Sequence, residues 1–177
     1  MTSDKRLLEA LTTINSIFND KGLESDQKLQ HILREIVRCV QAKSGSIMLM
    51  KGLKSLEVIA STNVELIGIK QPLDEESPSA WVIKYRAPLY LDNIAKSDIF
   101  EKRFDHYEGG AFFLVPIIVN KNVIGVLSVT DKLGQEVFSK EERKILLNIA
   151  GQVISSLENQ SLKRKDRTLR QRNLQLS

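Results

Sequence analysis

Ala111-Phe112-Phe113-Leu114-Val115-Pro116-Ile117-Ile118-Val119, then Asn120-Lys121-Asn122, then Val123-Ile124-Gly125-Val126-Leu127-Ser128-Val129-Thr130 is the stretch that decides how this chain folds. Two almost wholly apolar runs, rich in β-branched residues, flank a short turn, which is the signature of a hairpin. Strands this apolar need cover on both faces, so the pair is expected in the centre of a sheet. With a two-residue turn at Asn120-Lys121 or Lys121-Asn122, cross-strand partners have numbers that add to an odd total. Phe113 and Val115 then share a face with Val126, Ser128 and Thr130, and a three-residue turn would reverse this.

Toward the N-terminus the pattern is first helical, then extended. Leu7, Leu11, Ile14 and Phe18 form an apolar stripe on a helix from Asp4 to about Asn19, closed by Asp20-Lys21-Gly22 with Gly22 suited to a left-handed turn. A second helix starts at Ser25 or Asp26, either one a good N-cap, and carries Leu29, Ile32, Leu33, Ile36, Val37 and Val40 on one broad face. Ser46 to Met50 and Leu56 to Thr62 read as a hairpin around Lys51-Gly52-Leu53-Lys54, and Gly68 to Pro72 as a short edge strand. Ser77-Pro78-Ser79 opens a short helix through Trp81, Val82 and Tyr85, and Ala87 to Asp92 is a strand with Pro88 at its entrance. Ile94 to Gly110, with Phe100, Phe104, His106 and Tyr107, reads as a mobile, helix-containing loop. Beyond the central hairpin, Ser139 caps the last helix, with Glu142 at the reciprocal capping-box position. That helix buries Ile145, Leu146, Ile149, Val153, Ile154 and Leu157, and Leu162, Leu169 and Leu176 continue it at coiled-coil spacing. The order of elements is that of an antiparallel α+β domain.

Composition narrows the function. At 177 residues the chain has room for one full core. The run Ala111 to Val119 is about half the ~20 residues of a membrane span, and the first residues lack a secretory layout. A lone Cys39 excludes a disulfide framework and two-thiol redox chemistry and fits a reducing, cytoplasmic setting. The net charge of +4 is concentrated in Lys163 to Arg172, which carries +5, leaving −1 for the rest. That basic stretch has no aromatic residue to stack on bases, so it reads as a solvated helix face, with no nucleic-acid partner and no membrane span.

Five stretches in order resemble the GAF domain family. They are Ala42-Lys43-Ser44-Gly45-Ser46-Ile47-Met48-Leu49, Trp81-Val82-Ile83 leading to Pro88-Leu89-Tyr90-Leu91-Asp92, Phe113-Leu114-Val115-Pro116-Ile117, Val123 to Val129, and Phe138-Ser139-Lys140-Glu141-Glu142 with its helix. The resemblance implies a central six-stranded antiparallel sheet, N- and C-terminal helices on one face, and loops and short helices over a small-molecule pocket on the other. It also implies a sensory module, often a homodimer through its terminal helices, coupled to an output domain such as a kinase, cyclase or phosphohydrolase. The expected division is an N-terminal helix in 1–22, the sensory domain in 23–158 and a basic helical linker or dimer coiled coil in 159–177.

Candidate pocket residues follow from strand period and residue type. Ser46 and Ser128 are polar anchors, joined by Thr62, and Met48, Trp81, Phe100, Phe104, Phe113 and Val115 are apolar liners, with plain core as the alternative for each aromatic. No cofactor is required by the sequence. The cyclic-nucleotide-binding members' Asn-Lys…Phe…Asp-Glu signature is met only by Lys132 and Phe138, and Asp131 with Lys132 is expected to pair locally and brace the last helix. Bilin attachment needs a pocket Cys, whereas Cys39 falls on the second helix, and haem would rest on His106 alone. Cys39 and His31 lie about two turns apart on that helix, out of contact, and Asp92, Asp98 and Asp105 have no matched base, so catalysis is not expected. A non-catalytic sensor is the leading reading; the alternative is a ligand-free dimerisation and signal-relay module.

Overall fold

The computed structural model describes residues 2–74, 76–92, 110–134 and 137–176. These run as α1 (Ser3–Asn19), α2 (Ser25–Val40), β1 (Ala42–Lys51), β2 (Ser55–Ser61), a single 3₁₀ turn (Val64–Leu66), β3 (Lys70–Pro72), α3 (Pro78–Tyr85), β4 (Leu89–Leu91), β5 (Phe112–Val119), β6 (Asn122–Lys132) and α4 (Lys140–Leu176). The strands form one antiparallel sheet in the order β3-β2-β1-β6-β5-β4, so β6 is central and flanked by β1 and β5.

The β5–β6 hairpin has the expected two-residue turn. Asn120 and Lys121 both adopt left-handed backbone, at φ 51° and 66°, the primed turn whose twist matches that of the strands. Near the turn Ile118 faces Val123, an odd total as expected. One step further the register shifts, because Ile124 is an extra residue in β6, and Ile117 faces Gly125. Beyond this bulge Leu114 faces Ser128, Phe112 faces Thr130 and Phe113 faces Val129. The bulge therefore overturns the expected faces: Phe113 and Val115 join Leu127 and Val129, while Phe112 and Leu114 join Val126 and Ser128.

Each face then builds its own core. On one side Phe113, Val115, Ile117, Leu127, Val129 and Ile47 pack against Ile14 of α1, Ile32, Leu33 and Ile36 of α2, and Ile145, Ile149 and Val153 of α4. On the other, Met48, Leu56, Val58, Phe112, Leu114 and Val126 pack with Leu89 and with Val82 of α3. A second bulge at Ile59 keeps Val58 and Leu56 on Met48's face. The terminal helices run side by side, with Gln152 Nε2 donating to Asn15 Oδ1 at 2.7 Å.

Two helix ends differ from expectation. Glu24, not Ser25 or Asp26, is the cap residue of α2, and Gln27 Oε1 accepts from its N–H at 3.0 Å. Gly22 is not left-handed; Asp20 Oδ1 accepts from its N–H at 2.8 Å and makes the turn with a side chain instead. The loop expected over Ile94 to Gly110 lies, up to residue 109, outside the described residues.

Gly125 sits where β6 presses hardest on β1: a Cβ there would stand 2.1 Å from Met48 O. Gly125→Ala is expected to destabilise the fold by about 2–3 kcal/mol, read as a lower urea midpoint, and an unchanged midpoint would contradict this close approach.

Candidate ligand cleft

The strand ends of β1 and β6 place hydroxyls directly opposite one another. Ser46 pairs with Ser128 and Ser44 with Thr130 in the ladder. Their side chains meet as well, with Ser46 Oγ and Ser128 Oγ 2.8 Å apart and Ser44 Oγ and Thr130 Oγ1 2.5 Å apart. These two pairs, continued by apolar Met48, Leu56 and Val58, floor a cleft of about 710 Å³ on the sheet face away from α1, α2 and α4. That volume falls within the usual range for a small-molecule site. Walls come from Ser61-Thr62-Asn63, Leu66, Gln71-Pro72-Leu73 and the Ser77-Pro78-Ser79 entry to α3. The helix-side face, by contrast, holds a gap of only about 10 Å³ between the sheet and α4.

The wall is braced through the sheet. Gln30 of α2 donates from Nε2 to Ser61 O at 2.8 Å and accepts at Oε1 from Ser61 N at 2.9 Å. Thr62 N donates to Gly45 O, and Thr62 Oγ1 accepts from Gly45 N, both at 3.1 Å. Gly45 has no room for a side chain, since a Cβ would stand 2.7 Å from Val37 Cγ2 of α2.

Of the residues singled out in the sequence, Ser46, Met48, Thr62 and Ser128 line the cleft. Trp81 packs beside it in the second core, its ring 4.9 Å from that of Tyr85. Phe113 and Val115 lie beneath the helices, on the wrong side of the sheet, because of the Ile124 bulge. Phe100 and Phe104 lie outside the described residues, as do Asp98, Asp105 and His106. The candidate residues read from the sequence leave out Ser44, Asp131 and Thr130, the last although its face was read as that of Ser128. Ser44 and Thr130 continue the alternation of Ser46 and Ser128 and were legible by period; Asp131 was not.

Asp131 breaks the alternation because its backbone is left-handed, at φ 59°. It lines the cleft, while the next residue reaches the helical layer. The Lys132 side chain is 1% exposed, and its Nζ lies 2.8 Å from Glu142 Oε2, 2.9 Å from Gln41 Oε1 and 3.2 Å from Val40 O. Lys132 therefore pairs with Glu142 of α4, not with Asp131, and ties α4 to the C-terminus of α2. Ser139 Oγ accepts from Glu142 N at 3.1 Å, so Ser139 is the cap, but the Glu142 carboxylate is turned to Lys132 instead of closing a capping box.

Neither Cys39 nor Tyr90 sits as an activated nucleophile. Burial pushes the Cys39 thiol up against the pull of Arg6, and Sγ donates to Arg6 O at 3.6 Å in the helical layer. Burial, with the Asp92 carboxylate nearby, pushes the Tyr90 phenol up to about 12, and its hydroxyl donates to Phe138 O at 3.3 Å just before α4. Among the described residues no cluster of His, Cys, Asp and Glu could hold a metal ion, and no helix is long and apolar enough to cross a membrane.

A family model described as GAF domain matches residues 23–158. The chain belongs to the GAF domain family. GAF domains are regulatory sensor modules, generally non-catalytic. Among solved structures, the GAF domain from Acinetobacter phosphoenolpyruvate-protein phosphotransferase is 21% identical with a TM-score of 0.71, covering 90% of this chain and 97% of that one. Its counterpart from a Coxiella burnetii phosphoenolpyruvate-protein phosphotransferase is 17% identical with a TM-score of 0.74, covering 91% and 98%. The phycoerythrobilin-bound GAF domain from a cyanobacterial phytochrome is 15% identical with a TM-score of 0.69, covering 91% and 99%. At these identities the likeness establishes the shared fold. No curated protein matches the sequence.

Removing one partner of the buried pair leaves the other charge uncompensated. Lys132→Ala is expected to cost about 3–5 kcal/mol in urea unfolding, and the double change Lys132→Met with Glu142→Leu to recover most of it. A loss under about 1 kcal/mol for the single change, the size of an exposed pair, would show that this contact is not structural.

Proposed function

We propose that this GAF domain is a non-catalytic regulatory sensor that binds a small molecule in the cleft and passes its state to the terminal helices of a homodimer. The observation that carries this is the cleft itself: paired hydroxyls and apolar side chains floor a ligand-sized space on the sheet face opposite α1, α2 and α4. Residues 23–158 act as the sensing unit, and the segments 1–22 and 159–177 connect it to a second copy and to an output partner such as a kinase, cyclase or phosphohydrolase, in the cytoplasm. A ligand shifts the helices only by binding one of their arrangements better than another.

Asp131 and Lys132 supply a short route for that shift. One touches the cleft and the next holds the first turn of α4. The helix is 37 residues long, about 55 Å, and its outer part leaves Leu162 and Leu169 more than half exposed. A second copy would cover that seam. A covalently attached bilin is not supported, because Cys39 faces Arg6 on the other side of the sheet from the cleft.

A ligand-free relay is the second reading, favoured by the hydrogen bond that Ser46 and Ser128 already make to each other. Native mass spectrometry of the dialysed protein separates the two. A retained small mass supports the sensor; its absence from an intact dimer supports the relay. Ser46→Trp is expected to fill the cleft and abolish any ligand-induced thermal shift, and an unchanged shift would place binding elsewhere. Deleting residues 160–177 is expected to weaken self-association in sedimentation, and an equal dimer fraction at low concentration would move the interface off α4.

A further inference from the structure

Asp131 lines the cleft beside Thr130, and among the described residues no cation pairs with its carboxylate. Its neighbour Lys132 is committed to Glu142, Gln41 and Val40 in the helical layer. The carboxylate rests instead against bare backbone: a Cβ at Gly110 would stand 2.3 Å from Asp131 Oδ1. Ionised, it is an acceptor only.

The floor next to it has a complementary character. In each of the Ser44–Thr130 and Ser46–Ser128 pairs one hydroxyl proton is shared between the two oxygens. The other proton and the spare lone pairs are left for a guest, so each pair can both donate and accept. Further along, Met48, Leu56 and Val58 offer apolar contact. The described lining thus grades from a carboxylate through amphoteric hydroxyls to a hydrocarbon surface. An anionic guest would bring a second negative charge beside Asp131, whereas a protonated amine would supply a counter-charge that none of the described residues provides, with a charge-assisted hydrogen bond.

On the reading of the cleft as a binding site, we infer that it selects a small hydroxylated cation. A protonated amine sits on Asp131, and the guest's hydroxyls lie on the Ser44–Thr130 and Ser46–Ser128 pairs.

Three sugars of one ring size test this at neutral pH: glucosamine as the cation, N-acetylglucosamine as the neutral form and glucuronate as the anion. Calorimetric titration of the full chain is expected to show glucosamine binding tightest and glucuronate weakest. Asp131→Asn keeps a residue tolerant of left-handed backbone, and the melting temperature of the unliganded variant confirms its fold. That variant is expected to lose about tenfold in glucosamine affinity and to leave N-acetylglucosamine unchanged. Equal or tighter binding of glucuronate, or glucosamine affinity unaltered in Asp131→Asn, overturns the charge selection; if that binding is still lost in Ser46→Trp, the cleft remains the binding site. No binding by any of the three overturns the ligand class alone when native mass spectrometry still finds a retained small mass, and overturns the sensor reading with it when none is found.

Discussion

A single extra residue in the central strand sets which side chains of β5 face the helices and which face the opposite layer. Side chains alternate strictly along a strand, so inserting Ile124 between the pairs Ile118–Val123 and Ile117–Gly125 exchanges the two faces of everything beyond it. Without the bulge, Phe113 and Val115 would sit on the cleft floor, and Phe112 and Leu114 would push into the helices. The β1–β6 ladder is regular here and sets Ser128 and Thr130 against Ser46 and Ser44 on the face that the terminal helices leave open. Gly125 follows directly after the extra residue and allows β6 to lie against the β1 backbone there. Which β5 side chains enter the helical core and which lie on the cleft face depends on that local irregularity.

A second irregularity connects the two sides. A regular strand would send residues 130 and 132 to the same face. The left-handed backbone of Asp131 places Thr130 and Asp131 along the cleft and turns Lys132 to the opposite layer. There its ammonium is held by two acceptors at the end of α2 and by the Glu142 carboxylate in the first turn of α4. A buried pair of this kind adds little net stability over a well-packed apolar pair, but it fixes geometry, because a displaced partner would leave a bare charge in the core. Two consecutive residues thus span from the candidate binding surface to the helices that would carry a signal.

Much of this was legible in the sequence because it follows from period and turn chemistry. The α2 stripe, the Gly52 hairpin, the Ser77-Pro78 helix start and the two-residue turn at Asn120-Lys121 all have local signals that the structure repeats. The family match followed from the order of such signals. The faces of β5 were not legible, since a bulge leaves both flanking runs apolar and no residue type marks Ile124 as the extra one. Asp131 and the Lys132–Glu142 pair were hidden for a similar reason. A left-handed Asp resembles any other Asp in sequence, and ten residues separate the two charges along the chain while the fold brings them to 2.8 Å. Ser46 and Ser128 were found by alternation on β1 and by the choice of polar side chains, while the β5–β6 register that put Phe113 and Val115 beside Ser128 was wrong by one residue.

The register of β6 against β5 is the most direct test of the account. Nuclear Overhauser contacts in the isotope-labelled full chain should join Leu114 to Ser128 and Phe112 to Thr130 across the strands. Contacts joining Phe113 to Ser128 and Val115 to Val126 would mean that no bulge exists and that Phe113 and Val115, not Phe112 and Leu114, share the face of Ser128, which would contradict the account at its root.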